Sequence, residues 1–225
     1  MQLRAFHVVS AVSLILMFGL SLYAWTQLPP DAEVPVHWNL SSEIDGYASK
    51  ASALLFTPLL TIGLVALLSV IPRLDPRRNN LYRSSTAYQV MCSAIVVLML
   101  VIHAGVVLIA LGVELELTVV IGVGVGALLF VIGTQLGNTR SNWFMGVRTP
   151  WTLESELSWR KTHRLAGRLF MAIGLISAAA ALFGPPEMYF WILMIGLLGG
   201  IVWIVAYSYV VWRDDPDRVA HTETD

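Results

Sequence analysis

Six long apolar runs restrict most strongly what this chain can fold into. About 20 apolar residues at ~1.5 Å per residue span the ~30 Å hydrocarbon core of a bilayer. The chain is 56% hydrophobic and 13% charged, whereas soluble domains are roughly 45–50% apolar and about 25% charged. We therefore predict an all-α, polytopic membrane helix bundle with six transmembrane helices. The runs cover residues 5–25, 53–71, 88–111, 117–136, 169–183 and 189–212.

The first run is expected to be a retained membrane anchor. Arg4 precedes it, as a basic residue precedes the apolar core of a signal peptide, but this run is longer than such a core. The exit at Tyr23-Ala24-Trp25 also lacks the small-x-small pattern of a cleavage site. We therefore count it as the first transmembrane helix.

The distribution of basic residues predicts the orientation of the bundle. If six helices alternate across the membrane, every Lys and Arg except Lys50 falls on one side. Cytoplasmic segments of membrane proteins carry such an excess of positive charge, so both termini are predicted to be cytoplasmic. The acidic residues of the opposite face are Asp31, Glu33, Glu43, Asp45, Glu114, Glu116 and Glu187.

Small residues indicate where helices approach each other closely. Gly122 and Gly126 form one small-xxx-small pair, and Gly196 and Gly200 form another. Such pairs allow backbones to pack together in lipid. The pattern is common in any apolar helix, so the sequence leaves open whether these faces contact other helices.

The outer loop, residues 26–52, is expected to form a small ordered cap. Its prolines disfavour helix, residues 34–39 are expected to be extended, and Asp45-Gly46 is predicted to be a turn. His37 and Asp45 are possible ligand or metal groups. Two groups are a weak metal signal, because a structural zinc takes about four ligands.

For this loop we favour a structural interpretation, in which Asp45 fixes a turn while His37 and Trp38 pack on the membrane surface. No metal or cofactor is predicted. Cys92 is the single cysteine, which excludes an intramolecular disulfide and a cysteine metal site. The candidate residues of the outer loop are His37, Trp38, Asn39, Asp45, Gly46 and Lys50.

His103 lies near the middle of the third predicted helix. An ionisable group inside the membrane is a functional candidate by default. The interpretation that we favour is a neutral imidazole that donates to a carbonyl or Ser on a neighbouring helix. The apolar runs hold no Asp, Glu, Lys or Arg to partner it, which argues against a proton pump.

Residues 137–168 form the longest polar interval of the chain and carry six Lys and Arg residues. Thr152 is placed to cap a helix over residues 153–165, with Glu156 and Arg160 at i and i+4 in the favourable order. We predict a cytoplasmic amphipathic helix that lies on the inner membrane surface. Before it, Arg148 can form two parallel hydrogen bonds with a carboxylate or a phosphate.

Two further cytoplasmic segments carry simpler predictions. The basic loop over residues 72–83 is expected to bind anionic lipid headgroups. The acidic, Pro-containing tail over residues 213–225 is expected to be disordered.

The polar interval contains three motifs: Gly137-Asn138, Gly146-Val147-Arg148-Thr149-Pro150-Trp151-Thr152 and Trp159-Arg160-Lys161-Thr162-His163-Arg164. The outer loop contains three more: Leu28-Pro29, Pro35-Val36-His37-Trp38-Asn39 and Asp45-Gly46-Tyr47-Ala48-Ser49-Lys50. The motifs of the polar interval resemble the signature of the SdpI family of membrane immunity proteins, which act against a sporulation-delaying toxin. The outer loop resembles the uncharacterised domain that commonly precedes this signature, with Ser42 and Ile44 in place of a usual Gly and Pro.

The resemblance implies a multi-pass protein of the prokaryotic cell membrane with roles in toxin resistance and signal transduction. Its implied partners are membrane lipids, a secreted toxin peptide outside and a cytoplasmic repressor inside, without direct nucleic-acid binding. Neither role is enzymatic. The candidate residues of the signature are Asn138, Gly146, Arg148, Thr149, Pro150, Trp151, Thr152, Trp159, Lys161, Thr162 and His163.

The predicted domain division follows these two regions. Residues 1–72 form an N-terminal domain, 73–87 a cytoplasmic linker, and 88–225 an SdpI-like domain. The alternative function is a membrane enzyme or small-solute permease that uses His37 and Asp45, or Arg148 and His163. Two titratable groups without a nucleophile or metal cluster are a weak basis for catalysis.

Overall fold

The computed structural model describes residues 2–185 and 187–217, and within them six helices are long and apolar enough to cross a membrane. The predicted helical membrane bundle is thereby confirmed. These helices are α1, α2, α4, α5, α7 and α8 of the following series. In chain order the elements are α1 (Arg4–Gln27), β1 (Glu33–Trp38), β2 (Ile44–Ser49), α2 (Lys50–Leu74), α3 (Arg78–Arg83), α4 (Ser85–Ala110), α5 (Leu117–Leu136), α6 (Pro150–Glu154), α7 (Glu156–Phe183) and α8 (Met188–Arg213).

The alternation of the six long helices gives the bundle two ends. The hairpin end comprises the β1–β2 hairpin and the short connections that precede α5 and α8. The signature end comprises the start of α1, residues 75–84 and residues 137–155. Which end faces the cytoplasm stays a prediction from charge. Pro186, which precedes α8, lies outside the described residues.

Helices α5 and α7 pack with their backbones in near contact. A Cβ added to Gly133 would stand 2.6 Å from the carbonyl oxygen of Gly167. One added to Gly126 would stand 2.5 Å from the carbonyl oxygen of Gly174. No side chain larger than hydrogen fits at these positions without moving a helix, so small residues set the distance between α5 and α7.

Both predicted small-residue pairs lie at helix contacts. On α5, Gly122 faces Ala181 of α7 in addition to the contact of Gly126. On α8, Gly196 and Gly200 both face the side chain of Ile173 on α7. Helix α7 is therefore packed between α5 and α8.

The other half of the bundle is held by an apolar core near the signature end. Phe6 of α1, Leu81 of α3 and Val96 of α4 are fully buried there. The hydroxyl of Tyr88 on α4 donates to the carbonyl oxygen of Leu68 on α2 at 2.6 Å. This bond gives the hydroxyl a partner within apolar surroundings and joins α4 to α2.

The hairpin confirms the extended segment that the sequence predicts and corrects the predicted turn. β1 and β2 are antiparallel, with Val34 opposite Ala48. Asp45-Gly46 lies inside β2, and the reversal is made by residues 39–43, where Ser42 has φ 66°. Asn39 makes this turn, because its side-chain oxygen accepts the backbone N–H groups of residues 41 and 43 at 3.0 and 2.9 Å.

The interfacial helix predicted over residues 153–165 is wrong. α7 begins at Glu156 and continues to Phe183, so this segment is the first part of a candidate membrane span. Its cap is Ser155, whose hydroxyl accepts the N–H of Ser158 at 2.9 Å. Thr152 is not the cap of α7, since it lies within the short α6.

Candidate functional site

His163 lies fully buried at the signature end, and both of its ring nitrogens are engaged. Nδ1 donates to the carbonyl oxygen of Trp159 at 2.8 Å. Nε2 accepts the backbone N–H of Val147 at 2.9 Å. Because one partner is an acceptor and the other a donor, the imidazole is neutral with its proton on Nδ1. The ring also stacks on Trp159, with centroids 3.9 Å apart.

Gly146 adopts a backbone conformation that matches this packing. Its φ is +106°, in the left-handed region where only glycine is free of strain. A Cβ at this position would overlap the His163 ring. The Gly146-Val147 backbone can therefore approach the imidazole closely enough to donate to it.

Thr149 and Thr152 form a reciprocal cap at the start of α6. The N–H of Thr152 donates to Thr149 Oγ1 at 3.1 Å, and the N–H of Thr149 donates to Thr152 Oγ1 at 2.9 Å. Such a capping box satisfies two backbone donors that the helix leaves free. Thr149 Oγ1 also lies 3.1 Å from Ser208 Oγ of α8. The cap thus joins α6 to α8.

Two signature tryptophans occupy different positions. Trp159 is fully buried, and its indole N–H donates to the carbonyl oxygen of Thr139 at 2.9 Å. Trp151 is partly exposed and meets Tyr209 edge to face, with ring centroids 5.2 Å apart. Trp159 therefore holds the loop after α5, whereas Trp151 packs against α8.

Exposure divides the predicted signature residues into three groups. Gly146 and Trp151 are intermediate in exposure. The exposed members are Asn138, Arg148, Pro150 and Lys161. The buried members are Thr149, Thr152, Trp159, Thr162 and His163. The exposed members can present polar atoms to a partner. The buried members hold the surrounding backbone in place.

Arg148 lies beside a shallow cleft on the signature end. Its guanidinium donates to the carbonyl oxygen of Trp143 at 2.7 Å, which leaves further donors of the same group free for a partner. The cleft has a volume of about 610 Å³. Its lining residues are Arg77, Trp143, Arg148, Pro150, Leu153 and Glu154.

Asp75 is a site residue that the sequence reasoning missed. Only 2% of its surface is exposed, and its carboxylate accepts the backbone N–H groups of Arg77 at 2.7 Å and Trp143 at 3.1 Å. The signal was available, because Asp75 is the single acidic residue of an otherwise basic loop. This carboxylate joins the end of α2 to residues 137–149, which form the signature loop.

Arg77 corrects the prediction that the basic loop serves lipid binding alone. Its guanidinium donates to the carbonyl oxygen of Leu153 at 2.9 Å and to the hydroxyl of Ser141.

Asn142 is a second site residue that the sequence reasoning missed. It is fully buried, and its side-chain oxygen accepts the N–H groups of Phe144 and Met145 at 3.0 and 2.7 Å.

The beginning of the tail is also ordered, contrary to the prediction for residues 213–225. Asp215 is 6% exposed, and its carboxylate accepts the hydroxyl of Ser155, the residue that caps α7. The end of α8 is therefore held to the start of α7. Residues 218–225 lie outside the described part of the chain.

At the hairpin end, His37 and Asp45 form an exposed pair across the two strands. Nδ1 of His37 lies 2.5 Å from Oδ1 of Asp45, with side chains 72% and 45% exposed. The described residues contain no group of three or more His, Cys, Asp or Glu that could hold a metal. The His37 side chain is exposed, and its packing on the membrane surface stays a prediction.

Lys50, at the start of α2, is almost completely buried. Its ammonium donates to the carbonyl oxygen of Leu28 at 2.6 Å and lies 4.8 Å from the centre of the Trp25 ring. Both contacts are favourable for a cation removed from water. Lys50 therefore fixes the hairpin to α1 and does not present its charge at the surface.

His103 donates to a carbonyl oxygen and a Ser hydroxyl of a neighbouring helix, as the favoured interpretation predicts. The hydroxyl of Ser21 donates to the carbonyl oxygen of Leu54 at 2.7 Å. Nε2 of His103 lies 3.0 Å from that hydroxyl oxygen and 3.2 Å from the carbonyl oxygen of Met17, so Nε2 is the donor to both. This set joins α4 to α1 and α2.

The fold and the two polar ends define a multi-pass membrane protein whose polar residues join helices and form exposed surfaces at both ends. Residues 138–211 match the SdpI/YfhL protein family. Residues 12–62 match a domain of unknown function, DUF1648. The resemblance drawn from the motifs is confirmed: the chain carries the SdpI/YfhL segment preceded by this domain.

The chain is similar to a characterised relative over almost its whole length. It is 24% identical over 206 residues to the immunity protein SdpI of Bacillus subtilis (strain 168). The match covers 90% of this chain and 95% of that protein. No solved structure matches the chain significantly.

Proposed function

We propose that this protein is a membrane immunity protein that protects the cell producing it from a secreted toxin. The observation that carries the proposal is its similarity to the immunity protein SdpI, which extends over 90% of the chain. The proposed role is not catalytic. In support, both ring nitrogens of His163, a residue considered for catalysis, are occupied by backbone partners.

A protection assay tests this function directly. The gene is expressed in a strain that lacks its own immunity proteins, and the cells are exposed to peptide toxins secreted by related bacteria. Survival should rise with expression of the wild-type protein for at least one toxin. Equal killing with and without the protein, for every toxin tested and at verified membrane levels, would contradict the proposal.

We further propose that the hairpin end faces outward and the signature end faces the cytoplasm. In support, every Lys and Arg except Lys50 belongs to the signature end or the adjoining helix ends by sequence. A membrane-impermeant maleimide should label Ser41→Cys in intact cells and Arg160→Cys only after lysis. Both positions are exposed, while Cys92 is buried. The reverse labelling pattern would show the opposite orientation.

The exposed part of the signature end is proposed to capture a cytoplasmic repressor. Arg148 and Lys161 offer charged donors, and Trp143 is 47% exposed beside Arg148. Exposed aromatic and Arg residues are typical of protein interfaces.

The partner test compares membranes of toxin-treated cells that carry either the wild-type protein or a variant. A DNA-binding protein should co-purify with wild type and be lost with Arg148→Ala combined with Lys161→Ala. Arg168→Ala, which changes an exposed basic residue of α7 seven positions after Lys161, serves as the matched control. Retention of the repressor by the double variant would refute this role of the signature.

A further inference from the structure

An apolar cavity opens at the hairpin end, between the β1–β2 hairpin and the helices. Its volume is about 600 Å³, and its walls come from the hairpin, α2, α4, the start of α5 and Tyr189 of α8. The apolar side chains of Leu40, Phe56 and Leu60 line it and are 48%, 67% and 49% exposed. Ligand pockets in proteins have volumes of about 300–1,000 Å³, so the cavity has room for several apolar side chains.

The walls of this cavity are held by hydrogen bonds at the tip of the hairpin. Ser42 Oγ lies 2.6 Å from Thr118 Oγ1 at the start of α5. Ser41 Oγ donates to the carboxylate of Glu187, before α8, at 3.0 Å. The hairpin is therefore fixed to the helices on the far side of the cavity.

The hairpin end, where the cavity opens, is strongly acidic. All seven acidic residues of this end are exposed. Lys50, the only Lys or Arg here, is 7% exposed and is already bound to Leu28 and the Trp25 ring. The acidic residues are Asp31, Glu33, Glu43, Asp45, Glu114, Glu116 and Glu187.

We propose that this cavity holds the apolar side chains of a cationic amphipathic peptide, and that this is the chemical class of the toxin. The inference rests on the proposed immunity function and orientation. An apolar cavity at an end that is rich in exposed carboxylates complements a peptide with an apolar face and Lys or Arg residues beside it. Carboxylates also attract cationic peptides over a distance of about 10 Å at moderate salt.

The same charges disfavour the other occupants. Anionic lipid headgroups are repelled by carboxylates, and a second copy of the chain would bring an identical acidic surface to the contact. Neither repulsion applies to a cationic peptide. The peptide would place its apolar residues against Phe56 and Leu60 and its basic residues near Glu43 and Glu116.

The binding test uses the full chain in phosphatidylcholine nanodiscs. The probe is a fluorescent amphipathic peptide of Leu and Lys, and the control is the same peptide with Glu in place of Lys. We expect the Lys peptide to bind with an affinity that falls as salt is added, and the Glu peptide not to bind. Equal binding of the two peptides would overturn the proposal and indicate an acyl chain or other uncharged occupant.

Two variants localise the peptide. Thr57→Trp fills the cavity and should weaken binding about tenfold, as blocking the centre of an interface does. Leu55→Trp changes an exposed residue outside the cavity on the same helix and should bind like wild type. Glu43→Gln, Glu116→Gln and Glu187→Gln together should weaken binding about fivefold and reduce its salt dependence. Wild-type affinity in both the Thr57→Trp and the triple variant would overturn the proposal.

Survival assays separate this inference from the proposed function. If wild type protects cells and Thr57→Trp protects equally well at equal membrane levels, the function stands and the cavity is not the toxin site. If wild type protects against no toxin, the function fails, and the nanodisc measurements still decide whether the cavity selects cationic peptides. Protection lost in Thr57→Trp and kept in Leu55→Trp would support both.

Discussion

The imidazole of His163 occupies the space that a side chain on Gly146 would need. Gly146 has φ +106°, and the next N–H group, that of Val147, donates to the same imidazole. Two residues 17 positions apart in the signature thus depend on each other. The glycine permits the approach, and the histidine fills the space and accepts the bond.

Gly146→Ala should destabilise the protein by about 2–4 kcal/mol, because it combines an unfavourable backbone conformation with overpacking against the ring. Thermal unfolding in detergent measures the change. Gly199→Ala on α8 is the matched control, since a Cβ there meets nothing within 4 Å. Equal melting temperatures for the two variants would show that His163 moves aside at no cost.

His163→Ala should cost about 3–5 kcal/mol, because it leaves the Val147 N–H without its partner and opens a cavity beside Trp159. Lys161→Ala, an exposed change two residues earlier, should alter stability by no more than about 0.5 kcal/mol. Chemical unfolding of both variants tests this. If His163→Ala were as stable as wild type, His163 would have no structural role and the prediction would be wrong.

Asp75→Ala should loosen the signature loop, because the backbone N–H groups of Arg77 and Trp143 lose a charged acceptor. The expected cost is about 1.5–3 kcal/mol, the range for hydrogen bonds to charged groups. Limited proteolysis should then cut within residues 137–149 faster than in wild type. Glu156→Gln changes an exposed carboxylate at the same end and should be cut at the wild-type rate.

Ser21 and His103 should be coupled in a double-mutant cycle. Ser21→Ala removes one acceptor of the imidazole and one donor to Leu54, while Met17 remains available. Hydrogen bonds between membrane helices contribute about 0.6 kcal/mol on average in such cycles, and a coupling of this size is expected. Additive effects of Ser21→Ala and His103→Ala would contradict the hydrogen-bonded arrangement.

Gly133→Val should prevent α5 and α7 from packing, because the Cβ would lie 2.6 Å from the Gly167 carbonyl oxygen. We expect loss of folded protein, measured as a fall in monodisperse yield after extraction. Gly19→Val on α1 places the same side chain in open space and should purify like wild type. A normal yield for Gly133→Val would mean that the two helices are not in backbone contact.

The membrane spans were predictable because apolar length is a strong signal that local packing does not alter. The predicted run over residues 117–136 coincides with α5. The start of α7 was not predictable in the same way, since Trp159, Thr162 and His163 appear polar in the sequence. In the structure the indole N–H of Trp159 donates to the carbonyl oxygen of Thr139, and Nδ1 of His163 donates to that of Trp159. Because their polar groups have these partners, both residues can lie within a helix that is long enough to span the membrane.

For the site, the motifs identified the segment but not the role of each residue. The predicted surface helix over residues 153–165 would place Leu157 and Leu165 on its apolar face. The buried face of α7 in fact carries Ser158, Trp159 and Thr162. Small and hydrogen-bonded side chains allow helices to approach closely in a membrane, and a pattern based on hydrophobicity alone assigns them to the wrong side.

Ser49 ends β2 opposite Glu33 and also caps α2, since its hydroxyl accepts the N–H of Ser52. The strand therefore passes into the helix without an intervening linker. The same helix ends at Leu74, directly before Asp75, which is bonded to the signature loop. β2 and α2 are consequently one uninterrupted run of secondary structure, and its far end lies next to the residue that holds the loop at the opposite end of the bundle.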